Sequence, residues 1–152
     1  MKESLTDSIS YIGLGYAGFS MAMAIGRFTS DSISDKIGSK KMITLALVIA
    51  ILGSGLVLFK ISYLAIIGFF VIGIGLSCII PEMFRIAANF KGIEPAKGMA
   101  VIAGTGYFGF LLGPVIFGGI AELTNLYFSF LMLGALLVLA LIISNFLTAD
   151  NG

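Results

Sequence analysis

The chain has 152 residues, 59% of them hydrophobic and 11% charged, and a net charge of +1. So few charges cannot cover the surface of a soluble protein of this length, and a nearly neutral chain has no solvated basic face for nucleic acid. With no histidine and Cys78 as its one cysteine, it has no histidine relay, no thiolate metal cluster and no internal disulfide, and no cofactor or metal is implied.

The apolar residues gather in runs of roughly 18 to 24, enough to carry an α-helix across about 30 Å of hydrocarbon. The runs are continuous rather than alternating, which argues for helices and against a β-barrel. We therefore expect an all-α integral membrane protein in the lipid bilayer. It forms a single unit of five spans at about 11–28, 42–59, 63–85, 98–120 and 126–147. The connections are short, so consecutive helices should pack as antiparallel neighbours.

The first span leads into GRFTSDSISDKIGSKK, read here as a glycine-bracketed loop of mixed charge. Gly26 permits close backbone approach and Arg27 can snorkel from the helix end. Asp31 sits where an isolated charge is costly and seeks cations. Gly38 allows a tight reversal, and Lys36, Lys40 and Lys41 lie at headgroup level. The plain alternative is a basic loop with a turn glycine.

Near the end of the third span, Pro81 precedes Glu82 and Arg85, which stand three residues apart on one helix face. Pro81 frees a carbonyl and can bend the helix. Glu82, Arg85, Arg27, Asp31 and Lys36 are expected to form a charge cluster. The alternative is a lone intrahelical Glu82–Arg85 pair. The fourth span carries Gly109, Gly113, Pro114, Gly118 and Gly119, a small-residue stripe suited to close helix packing or, with Pro114, to a hinge.

Cations orient the chain. Arg27, Lys36, Lys40 and Lys41 follow span one and Arg85, Lys91 and Lys97 follow span three, whereas Lys2 and Lys60 lie on the other side. The positive-inside bias places both basic loops in the cytoplasm, with the N-terminus outside and the C-terminus inside. Tyr11, Tyr63 and Tyr127 then fall near the outer interface, where amphipathic rings are favoured. An N-out first span without a basic run before it reads as an entry point within a longer protein.

GRxxxDxxxxKxGxKK resembles the loop signature of the major facilitator superfamily, in the form found in its second half. GYAGFSMAMAIGR, GLSCIIPEMF and GTGYFGFLLGPVIFGGIAELTN are similar to fucose-permease-like and sugar- or drug-efflux-like members. Ser32 stands where many members carry a basic residue. The resemblance implies helices eight to twelve of a twelve-helix transporter in the plasma (inner) membrane. Its partners would be a missing N-terminal bundle and a small-molecule substrate. It also implies that Asp31 meets the opposing bundle and that the charge cluster closes the cytoplasmic side. A second reading is a standalone five-span subunit or scaffold acting by self-association. No Ser–His–Asp set or paired acids point to an enzyme.

Overall fold

Helix is the regular structure throughout the computed structural model, which describes the backbone of residues 2–59 and 61–149 and the side chains of residues 13–59 and 61–146. Expectations resting on Lys60, and on the side chains of Lys2 and Tyr11, fall outside the described residues. The segments are α1 (Lys2–Ile37), α2 (Ser39–Leu58), α3 (Ser62–Ser77), α4 (Ile79–Ala88), α5 (Pro95–Leu123) and α6 (Leu126–Ala149). Among the described residues four stretches are long and apolar enough to cross a membrane: Ser39–Leu58, Ser62–Ala88, Pro95–Leu123 and Leu126–Phe146. The expected first span, 11–28, lies within α1, whose described residues mix glycine, serine and Arg27 with apolar ones and are not among the four.

One expectation is corrected here. GRFTSDSISDKIGSKK is not a loop, because α1 runs on through it to Ile37 and α2 resumes at Ser39. The reversal is confined to Gly38, whose φ of 84° is a backbone conformation that glycine adopts without a Cβ penalty. The helix persists because nothing between Gly26 and Ile37 breaks it and one face stays packed. Ala22, Gly26, Ser30 and Ser34 recur every four residues and all four are buried. The hydroxyl of Ser30 donates to the Arg27 carbonyl at 3.0 Å, so its polar atom is satisfied along its own helix.

That stripe faces α3. A Cβ on Gly73 would stand 2.5 Å from the Phe19 carbonyl oxygen and 3.1 Å from the Ala22 Cβ, and one on Gly26 would collide with the Ser77 side chain. The opposite face of α3 lies as close to α2. A Cβ on Gly53 would be 2.7 Å from the Ile72 nitrogen, and one on Gly75 would be 2.7 Å from the Ala46 oxygen and the Ala50 nitrogen. Helix α3 is thus pressed between α1 and α2 at backbone distance, which in lipid gives dispersion contacts that larger side chains forbid.

The remaining face of α2 meets α6. Ile43, Leu47, Ala50 and Leu137 form the buried core there, with Leu76, Ile79, Ile86, Leu133 and Leu141 against it. A second cluster joins Met42 and Ala46 to Cys78. Phe69 on α3 meets Phe130 on α6 edge-on, with ring centroids 5.5 Å apart.

The α3–α4 break falls at Cys78, between Ser77 and Ile79. Pro81 has no N–H to give to the Ser77 carbonyl four residues back, so the ladder is interrupted there. By contrast, α5 runs unbroken through Pro114.

The two kinds of glycine are separable. Replacing Gly53 by Leu should lower stability by about 1–3 kcal/mol through forced backbone separation. Replacing Gly109 by Ala, where a Cβ meets nothing within 4 Å, should leave stability unchanged or raise it by up to about 1 kcal/mol. Thermal unfolding in mild detergent reads both, and equal losses would contradict the packing described.

Candidate functional site

The chemistry-bearing side chains gather where the end of α1 meets α4. Because α1 stays helical past residue 30, Ser34 and Asp35 are carried to the level of Arg85. One guanidinium nitrogen of Arg85 donates to Asp35 Oδ1 at 2.6 Å, and the other donates to Ser34 Oγ at 3.3 Å. The ion pair ties elements 50 residues apart in sequence, and its side chains keep 43% and 66% of their exposure. It is therefore a solvated bridge, worth far less than a buried one.

Glu82 differs. It is 2% exposed and lies in the first turn of α4, four residues after Cys78 and three before Arg85. Its Oε2 is buried with no hydrogen-bond partner among the described residues. The Glu82 and Asp31 carboxylates both act electrostatically on the Arg85 guanidinium. A buried carboxyl oxygen without a hydrogen bond is a costly arrangement. Such a cost is commonest where a group serves function rather than folding.

Of the expected cluster, the structure joins Arg85 to α1 through Asp35, which sequence reasoning missed, while Asp31 is exposed and in no ion pair among the described residues. The intrahelical Glu82–Arg85 pair is not formed. Arg27 is exposed and, among the described residues, its guanidinium reaches only the Met23 sulfur, at 3.8 Å. Lys36, Lys40 and Lys41 are exposed, and Gly26 is buried against Ser77. The signal for Asp35 was available: Asp31 and Asp35 are four residues apart, so a helix through this segment brings both to one face. Reading the segment as a loop hid it.

The α5 set is also placed differently from the packing expectation. A Cβ on Gly109, Gly113, Gly118 or Gly119 meets nothing within 4 Å, and α5 contains no buried residue. Within this chain α5 touches α4 at its start, where a Cβ on Gly98 would meet the Ala87 carbonyl, and α6 at its end, where Ser129 Oγ donates to the Phe117 carbonyl at 2.9 Å. Close helix contacts are made at Gly26, which the sequence singled out, and also at Gly53, Gly68, Gly73 and Gly75, in stretches read as ordinary span.

An apolar cavity of about 690 Å³ opens at the other end of the bundle, between Tyr16 and Phe19 of α1, Phe69 of α3 and Leu126 and Phe130 of α6. Its walls carry almost no polar groups. Among the described residues no group of three His, Cys, Asp or Glu side chains could hold a metal ion.

The chain matches the family described as Major Facilitator Superfamily over residues 1–151. It is 34% identical over 125 residues to the membrane protein MosC of Rhizobium meliloti, covering 82% of this chain and 30% of that protein. It is 35% identical over 124 residues to an uncharacterised MFS-type transporter of Yersinia pestis, covering 81% and 32%. An uncharacterised transporter of Sinorhizobium fredii is 30% identical over 132 residues, covering 86% and 35%. The chain thus spans about a third of the length of these relatives. No solved structure matches it.

A double-mutant cycle with Arg85→Ala and Asp35→Ala should return a coupling of about 0.5–1 kcal/mol that shrinks as salt is added. The same cycle on Lys97 and Glu94, 3.4 Å apart and mostly exposed, should return close to zero. A coupling at Lys97–Glu94 as large as at Arg85–Asp35 would deny the α1–α4 bridge any special role.

Proposed function

Because this chain belongs to the major facilitator superfamily, we propose that it serves as the C-terminal portion of a secondary active transporter of small solutes. Such transporters work by rocking one helical bundle against another around a central path. The observation that carries the reading is α5. None of its membrane-length stretch is buried, against 39% for α2. A helix left so bare, with glycines along it, is suited to further helices, and the relatives are about three times as long as this chain.

In this reading the end bearing Lys36, Lys40, Lys41, Arg85, Lys91 and Lys97 faces the cytoplasm of the inner membrane. The N-terminus is outside, α1 crosses the bilayer with the other helices, and catalysis has no part. Gly26, Arg27, Asp31, Lys36, Gly38, Lys40, Lys41, Glu82 and Arg85 make up the cytoplasmic gate. The Arg85–Asp35 bridge holds α1 to α4 so that both move as one body. Asp31, in no ion pair among the described residues, is the group available to meet the opposing bundle. A standalone scaffold would use the same bare α5 face for self-association.

Co-expression separates the two readings. This chain and a seven-helix N-terminal piece of a related transporter should co-purify, and only the pair should move small solutes in reconstituted vesicles. A chain that alone forms a defined oligomer, unfolds cooperatively and ignores the added piece would overturn the transporter reading.

A further inference from the structure

At the basic end, α2 and α6 border a cavity of about 430 Å³ lined by Lys40, Lys41, Thr44, Leu45, Val48 and Asn145. Among the described residues its cations are uncompensated. Lys40 and Lys41 are in no ion pair among the described residues, and the first turn of α2 has no acidic residue. The Thr44 hydroxyl is spent on the Lys40 carbonyl at 3.2 Å. The polar groups left to a ligand are two ammoniums and the Asn145 amide.

Two aliphatic rails lead away from this mouth. Leu45, Val48 and Leu52 share one face of α2 at spacings of three and four, and all are exposed. On α6, Ile142 and Val138 continue from Asn145 at the same spacings and are exposed too. The two helices pack together and run in opposite directions, so both rails extend from the basic end into the apolar length of the bundle.

We infer that this cavity seats one anionic phospholipid. Its phosphate lies against Lys40, Lys41 and the Asn145 amide, and an acyl chain follows the groove between the α2 and α6 rails. The headgroup chemistry alone would suit free phosphate as well, since both offer the same oxygens to the lysines. The rails select the lipid, because they give an acyl chain an apolar path continuous with the headgroup site, which a free anion cannot use. Basic pockets between membrane helices hold anionic headgroups for this reason. The inference rests on membrane residence and not on the transport reading.

The test is retention of lipid by the full chain in dodecyl maltoside, measured by native mass spectrometry. Phosphatidylglycerol should be retained at least about tenfold better than phosphatidylcholine with the same acyl chains. The K40Q/K41Q variant should lose that preference and K40R/K41R should keep it. K91Q/K97Q removes as much charge away from the cavity and should also keep it. Equal loss in K91Q/K97Q would overturn the site in favour of diffuse surface charge. Displacement of the lipid by millimolar inorganic phosphate or glycerol phosphate would overturn the lipid as occupant. Equal retention of both lipids by the unaltered chain would overturn the proposal outright, whatever the variants do.

Discussion

The contact on which the rest of this structure depends is the seating of α3 between α1 and α2 at backbone distance. In hydrocarbon, two apolar helices gain little from leaving lipid for one another, so association relies on dispersion and on how closely the backbones can come. Gly73 meets Phe19 and Ala22 on one side of α3, and Gly75 meets Ala46 and Ala50 on the other. Neither side tolerates an added methyl without movement. Once α3 is held this way, the heights of α1 and α4 are set relative to each other. Arg85 then finds Ser34 and Asp35.

The charged end is consequently a product of packing, not the cause of it. A bridge exposed on both sides contributes little to stability, and a buried carboxyl oxygen without a hydrogen bond, as Glu82 Oε2 is among the described residues, adds none. Groups that the fold does not need, kept beside a hinge-like break at Cys78, suit a task carried out between states rather than within one. The belonging of the chain to a family of transporters agrees with that distribution. So does the uneven coverage of its helices, dense around α3 and so sparse along α5 that none of its residues is buried.

Much of the fold was legible in the sequence because lipid imposes a length rule. The continuous apolar runs at 42–59, 63–85, 98–120 and 126–147 correspond to α2, α3 with α4, α5 and α6, with ends shifted by a few residues. The segment after Gly26 was misread because charge and serine were taken as the end of a helix. Local polarity cannot reveal that Ser30 and Ser34 lie buried on a small-residue stripe begun by Ala22 and Gly26. The same error concealed Asp35. Gly109, Gly113, Gly118 and Gly119 of α5 drew attention by their number, yet Gly26, Gly53, Gly73, Gly75 and Gly98 make close contacts, because contact depends on which neighbour is present.

What the sequence determined by itself was environment, helical class, the basic end and family resemblance. Each follows from composition, run length or short spacing, which are properties of the chain before it folds. Only the tertiary structure decided which carboxylate Arg85 pairs with, that Glu82 is buried with its Oε2 in no hydrogen bond among the described residues, which glycines bear the packing and that two lysines open onto an aliphatic groove. These depend on the relative height and rotation of helices far apart in sequence. Those are set by backbone contact with α3, and no local pattern encodes them.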